Sequence, residues 1–436
     1  MIWEQTVQYA SISDIGLRRR NNQDACTVQV CSEQEEWQRR GHLFMVADGM
    51  GGHAVGELAS KIAVDTAPHT FYKSQHSKLS DALRESIETA NHAIHERGTH
   101  NRDFERMGTT CSTLVLGPEG AVIGHVGDSR IYRVSQGTIS QLTFDHSLQW
   151  ELIRQGRMKP EDVYLHQPRN VITRSLGPEP EVDVDIEGPW PVDPGDTFVL
   201  CSDGLTGHVA DMEIGAIAGS LEPAESCRLL VNLANLRGGS DNITVLVVRV
   251  CKGATLGEGQ PAEESEVQTD GPGWIWLIRC WILALSAVLG LAAMLFNWPK
   301  TGGSLLAISV VTLMGMTWRW WKQRRKSRGA GTAHARKLNV YRSTPARLTR
   351  KFLSHLAALE AELQRSAMEE GWTLDWDEHR SADHEAKEAV ANHQFVRAFN
   401  AYGRMLDVFM AGVQVYRKQK DHETKWGKSD RQNRKT

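Results

Sequence analysis

An apolar run, Leu43-Phe44-Met45-Val46-Ala47, ends abruptly at Asp48-Gly49-Met50-Gly51-Gly52. A short run bounded by turn residues reads as a buried strand that delivers its last carboxylate to an edge of the core. Gly49 has no Cβ, so its carbonyl can approach whatever the carboxylate holds, and a metal ion is the obvious guest. An isolated Asp-Gly is usually a plain turn. Here two further aspartates arrive in a similar way. Thr197-Phe198-Val199-Leu200-Cys201-Ser202 ends in Asp203-Gly204, and Ser240-Asp241-Asn242 leads into the apolar Ile243 to Val248. Strand ends hold side chains at fixed points, so three distant aspartates can converge. Gathered carboxylates repel unless cations sit between them. The economical arrangement is two hard divalent cations, Mg²⁺ or Mn²⁺, bridged by Asp48.

The N-terminal part extends this reading. Its first residues lack the basic start and apolar core of a signal peptide. Seven scattered cysteines without a Cys-x-x-Cys pair point to reduced thiols in a cytosolic compartment. A net charge of −3 gives no sign of a nucleic-acid binder. An alternating segment precedes Gly16-Leu17-Arg18-Arg19-Arg20, where a triple arginine is either a solvated face or a source of one guanidinium fork for phosphate oxygens. The spacing does not choose among the three. Residues 57–99 read as helical, with Ala59, Ile62, Ala63, Leu79, Leu83, Ile87, Ala90 and Ile94 on buried stripes. His92 and His95 are ordinarily a solvated or satisfied pair. Short alternating strands follow at 112–116, 121–126, 130–134 and 138–142 and predict an antiparallel meander. Asp128 sits in one of its turns and is a fourth carboxylate candidate.

Several motifs now stand in order. They are Gly16-Leu17-x-Arg19-x-Asn21-Asn22-Gln23-Asp24, Val46-Ala47-Asp48-Gly49-Met50-Gly51-Gly52-His53, Gly108-Thr109-Thr110, Gly127-Asp128-Ser129-Arg130, Asp145-His146-Ser147, Asn170-Val171-Ile172-Thr173-Arg174, Ser202-Asp203-Gly204-Leu205 and Ser240-Asp241-Asn242-Ile243-Thr244. The set resembles the bacterial form of the metal-dependent PP2C (PPM) serine/threonine protein phosphatases, over roughly residues 5–250. The resemblance implies an α+β fold, an αββα four-layer sandwich of two antiparallel sheets flanked by helices. It implies that Asp48 bridges two metals, that Gly49 lends its carbonyl to one, and that Asp203 and Asp241 complete the coordination. Asp128 matches the position tied to a third, weaker metal, and Arg19 matches the phosphate-binding arginine. Residues 148–175 match a mobile flap. Gln23 departs from relatives that carry a glutamate there, and Met50 from eukaryotic relatives with a histidine proposed as general acid, which leaves protonation of the leaving group unassigned.

The expected chemistry follows. Two cations lower the pKa of a water near neutral pH, the resulting hydroxide attacks phosphorus in line, and the cations with Arg19 neutralise the phosphoryl oxygens. No covalent intermediate is needed, and Cys111 and Cys201 read as core filler.

After the phosphatase domain at 1–251, residues 252–273 are polar and Gly-rich and read as a flexible linker. Trp274 to Phe296, with Arg279 as its only charge, is long enough to cross a bilayer, and Ser304 to Trp321 predicts a second transmembrane helix. Tryptophans 274, 276, 281, 298, 318, 320 and 321 gather near the span ends, and Lys322, Arg324, Arg325, Lys326 and Arg328 supply the cytoplasmic positive charge. Two spans return the chain to the side it left, which predicts a multi-pass cell (inner) membrane protein with both the catalytic domain and the tail in the cytoplasm. In the tail, about 335–436, Thr344-Pro345 reads as a helix start. Leu348, Phe352, Leu356, Leu359 and Leu363, then Val396, Phe399, Tyr402, Leu406, Phe409, Val413 and Tyr416, predict an antiparallel helical pair or coiled-coil seam for interaction or self-association, with a basic end.

The sequence therefore predicts a membrane-anchored phosphatase acting on phosphoserine and phosphothreonine proteins, opposing a Ser/Thr kinase. Two rivals are a regulatory pseudo-phosphatase that binds phosphoproteins and a two-metal hydrolase of a non-protein phosphoester. Intact Asp48, Asp203 and Asp241 argue against the first, and the motif set against the second.

Overall fold

The period-two pattern of the strand that carries Asp48 decides how the layers stack. The structure, a computed structural model, describes residues 6–51, 55–104, 106–157, 171–251 and 340–433. In chain order they form β1 (Val7–Asp14), β2 (Asp24–Gln29), α1 (Gln34–Arg40), β3 (His42–Met50), α2 (Val55–Lys73), α3 (Leu79–His100), β4 (Gly108–Thr109), β5 (Cys111–Gly117), β6 (Gly120–Val126), β7 (Arg130–Ser135), β8 (Thr138–Gln141), α4 (Leu148–Arg154), β9 (Asp185–Trp190), β10 (Thr197–Cys201), α5 (Asp203–Thr206), α6 (Asp211–Ser220), α7 (Pro223–Leu236) and β11 (Ile243–Val250). The tail adds β12 (Arg342–Pro345), α8 (Arg350–Glu370), α9 (Trp376–Ala391) and α10 (Phe395–Asn433).

Two antiparallel sheets result, one ordered β1-β11-β10-β7-β8-β12, the other β2-β3-β5-β6-β9 with β4 beside β3. In β3, Leu43, Met45 and Ala47 face α2 and α3, where they pack with Ala59, Ala63, Ile87 and Ile94. Phe44 and Val46 point the other way, into the seam between the sheets, against Ile131, Phe198, Leu200 and Leu246. The far face of the first sheet, with Val199, Cys201, Val245 and Val247, is covered by Ile214, Leu230 and Leu233 of α6 and α7. Helix, sheet, sheet and helix are thus stacked by side chains that alternate across each strand.

The expected meander is divided. β5 pairs with β6 in one sheet and β7 with β8 in the other, so the turn Gly127-Asp128-Ser129 crosses between layers. Gly127 adopts a φ of +110°, a conformation that glycine reaches without strain, and a Cβ there would lie 2.6 Å from the Thr110 side chain.

The tail also differs from the helical pair expected. The described tail residues, 340–433, belong to the same compact unit as those of 6–251. Thr344 and Pro345 end a strand that pairs with β8, and the cap of α8 is Thr349, whose hydroxyl accepts from the Phe352 amide at 3.2 Å. A third helix, α9, lies between the two predicted stripes. It buries only alanines and His379, so it lacks the large apolar stripe by which helices are recognised. Phe352, Phe399, Tyr402, Leu406 and Phe409 are buried in the core shared with α6 and α7, which leaves them unavailable to a second copy of the chain. The linker at 252–273 and the spans at 274–296 and 304–321 lie outside the described residues. Among the described residues no helix is long and apolar enough to cross a membrane.

Candidate metal centre

The predicted aspartates arrive on separate elements at one end of the sandwich. Asp48 lies in the last turn-ward residues of β3, and its register partner across the strand pair is Asp24, the first residue of β2. Its backbone is pinned from the other side: its amide donates to Thr110 Oγ1 at 2.8 Å, and its carbonyl accepts from the Thr110 amide and Thr109 hydroxyl, each at 2.9 Å. This is the structural work of Gly108-Thr109-Thr110. Gly49 donates to the Gln23 carbonyl at 3.1 Å, and a Cβ on it would lie 2.0 Å from the Gly56 carbonyl oxygen.

Asp203 opens α5 directly after β10. Asp241 precedes β11 and receives Nη2 of Arg19 at 2.6 Å. Asn242 holds the loop that carries Arg19: its Oδ1 accepts from the Gln23 amide at 2.9 Å, and its Nδ2 donates to the carbonyls of Ile15 and Asn21 at 3.0 Å each. Asp128, on the turn between sheets, lines a cleft of about 370 Å³ together with Arg130, Asp145, Asp203 and Asp241.

The electrostatics record the crowding. Burial first, then the charges of Asp24, Asp203, Asp128 and Asp241, push the Asp48 carboxyl well above the carboxylate range. Asp128 is raised by burial and by Asp203 and Asp145. Asp203 is pushed up to about 6, by burial and then by Asp241, against a hydrogen bond with Asp48 that lowers it. Asp24 rises to about 7 chiefly through burial, although Ser202 donates to its Oδ2 at 2.7 Å. Asp24 carries no assigned role in the sequence reading. Its signal there is its place at the end of the Asn21-Asn22-Gln23 motif, and its nearness to Asp48 is visible only in the strand register.

The donor set suits hard divalent cations, which take oxygen ligands. Buried oxygens Asp24 Oδ1 and Asp128 Oδ1 have no hydrogen-bond partner, and orphaned buried carboxylate oxygens are costly unless a cation meets them. Among the described residues no group of three or more His, Cys, Asp or Glu side chains stands close enough together to hold a metal ion as the side chains are placed. Arg19 instead takes one oxygen of Asp241.

Other candidates fall elsewhere. Cys111 and Cys201 are buried, and burial pushes both thiols up to about 12, which fits core packing. His95 bonds through Nδ1 to the Gly177 carbonyl at 2.9 Å, the satisfied arrangement. Met50 closes β3. Of the expected flap, α4 and residues 171–175 are described; His53 and residues 158–170 lie outside the described residues.

The profile of the family described as protein phosphatase 2C matches residues 18–230. A putative protein phosphatase 2C-type from Streptococcus pyogenes serotype M6 is 39% identical over 240 residues, covering 54% of this chain and 94% of that protein. Protein phosphatase PhpP of Streptococcus pneumoniae is 35% identical over 247 residues, 56% of this chain and 97% of its own. Among solved structures, the serine/threonine phosphatase PstP/Ppp of Mycobacterium tuberculosis is 34% identical, covers 56% of this chain and 99% of that chain, and superposes with a TM-score of 0.51.

Proposed function

The chain belongs to the protein phosphatase 2C family, of bacterial type, and is a serine/threonine protein phosphatase; from that premise we propose that Asp48, Gly49, Asp203 and Asp241 hold two divalent cations, Mn²⁺ or Mg²⁺, and that Arg19 binds the phosphoryl group of its substrate. The observation that carries this reading is that Asp128, Asp203 and Asp241 line one cleft while Asp24 faces Asp48 across the strand pair, and that burial first, then neighbouring carboxylates, raises Asp24, Asp48, Asp128 and Asp203 together. When bound, the cations supply that charge, acidify water and neutralise phosphoryl oxygens. Asp128 is the candidate for a third, weaker site.

The chain's own residues do the rest. Thr109 and Thr110 fix the backbone at Asp48. Asn242 fixes the loop at Arg19. A guanidinium fork can give two parallel donors to a phosphoryl group, and Arg19 sits where it can exchange Asp241 for such a partner. Ser202 donates to Asp24 and fixes one oxygen of that carboxyl.

Substrates under this reading are phosphoserine and phosphothreonine proteins, including those of an opposing Ser/Thr kinase. The apolar stretches at 274–296 and 304–321 support anchoring in the cell membrane with the catalytic unit on the cytoplasmic side. The test is hydrolysis of a phosphothreonine peptide by the full chain, with Mn²⁺, with chelator, and after Asp203→Ala. Turnover that needs metal and is lost on substitution supports the assignment; a substituted chain that keeps full turnover refutes it. Nucleotides run in parallel distinguish protein from small phosphoesters.

A further inference from the structure

The cleft that holds Asp128, Asp203 and Asp241 also holds a buried ion pair, and this pair is tied to a residue far outside the part of the chain that the family profile matches. Arg130 donates from Nε to both oxygens of Asp145, at 3.0 and 2.9 Å, and from Nη2 to Oδ2 at 2.7 Å. Its Nη1 donates to the Tyr132 hydroxyl at 3.0 Å and lies 3.7 Å from Oδ1 of Asp211. Tyr132 donates to the same Asp211 oxygen at 2.9 Å. The other oxygen, Oδ2, faces Nη1 of Arg342 at 3.5 Å. Arg342 opens β12, the strand that rejoins the sheet after residues 252–339.

One guanidinium, that of Arg130, thus stands between two carboxylates. Without a second cation, Asp211 competes with Asp145 for it. Arg342 supplies that cation and leaves Arg130 free to hold Asp145. A second route runs through the same strand. Arg342 is the register partner of Gln141, the Tyr341 amide donates to the Gln141 carbonyl at 3.1 Å, and the Gln141 side chain donates to Asp145 Oδ1 at 2.9 Å.

Resting on the phosphatase reading above, we propose that Arg342 is a positioning residue for the Arg130–Asp145 pair, so that an ion pair lining the active-site cleft is held by the strand β12 as well as by the family domain. Exposure grades along the relay: the Arg342 side chain is 41% exposed, Asp211 16% and Asp145 5%. A wet outer ion pair is weak and a buried inner one is not. Arg342 therefore adjusts the cleft instead of building it, and the position of β12 sets how well the pair is held.

The test is a double-mutant cycle on the full chain, Arg342→Ala, Asp211→Asn and both, with Arg342→Lys as the conservative variant. Two readouts are taken: kcat and KM on a phosphothreonine peptide, and the Nε–H resonance and hydrogen exchange of Arg130. Arg342→Ala is expected to lower kcat about three- to ten-fold with KM changed less than about two-fold, and to speed exchange at Arg130. In the Asp211→Asn background it should do neither, because the competing charge is gone. Arg342→Lys should recover most of the loss. Losses that add across the cycle, or an Arg130 resonance unmoved by Arg342→Ala, overturn the proposal. A wild-type chain without metal-dependent turnover sinks the phosphatase reading instead, and the Arg130 resonance still decides the role of Arg342.

Discussion

Arg19 donates to Asp241 at 2.6 Å, a bond between residues 222 positions apart in the chain. Its side chain is 45% exposed, so the pair is held weakly and can be exchanged for a better partner. A phosphoryl group with two oxygens is such a partner.

Arg19→Ala should therefore lower kcat/KM on a phosphopeptide by about 10- to 100-fold. The melting temperature should change by no more than about 2 °C, since an exposed ion pair contributes little stability. Steady-state kinetics beside thermal melts separate the two. Arg19→Lys should fall between, keeping the charge without the fork.

Asp24 is held up to about 7 and Asp203 to about 6, in both cases first by burial. An acid raised above its unfolded value, near ~4, contributes stability that is full below that value and is lost as pH rises through the folded one. The chelator-treated protein should thus lose stability between about pH 4 and pH 7. Added Mn²⁺ should raise the melting temperature more at pH 8 than at pH 5; melts with and without metal at both pH values check this, and the reverse order would refute it.

Asp203→Asn should cut turnover by about two orders of magnitude or more, while leaving the metal-free protein as stable as before or more so at pH 8. The reason is that a neutral amide removes one of the charges that raise Asp48. Activity and melts in chelator test the two halves together.

Gly49→Ala places a methyl group 2.0 Å from the Gly56 carbonyl oxygen and 2.5 Å from that of Gln23. Both neighbours are backbone and cannot turn aside. The expected cost is about 3 kcal/mol in denaturant unfolding, with weakened Mn²⁺ binding by titration.

Ending the chain after Cys251 should expose the face of α6 and α7 that Phe352, Phe399 and Leu406 cover. The truncated protein should melt at least about 5 °C lower and bind more of a hydrophobic dye than the full chain. Gly215 marks the closeness of this fit, since a Cβ on it would lie 2.6 Å from that of Ala346.

What the sequence by itself determined are features written in neighbouring residues. An apolar run that stops at an acid places that acid at a strand end, so Asp48, Asp203 and Asp241 were legible without coordinates, as were the buried stripes of α2 and α3. Arg19 was not separable from Arg18 and Arg20 by spacing, and needed the family resemblance. Asp24 acquires its place only from the register that sets it opposite Asp48, and register is a relation between two strands. The break of the expected meander at Asp128 depends on which sheet each hairpin joins, a choice made by packing in three dimensions and not by the turn. The tail shows the same limit. α9 is held by alanines that fit beneath larger neighbours, and β12 by a free sheet edge at β8. Local chemistry names the aspartates beside the strands and the helices; which distant surfaces meet, and so where Arg342 finds Asp211, is settled by tertiary packing, because burial rewards complementary faces whatever their separation along the chain.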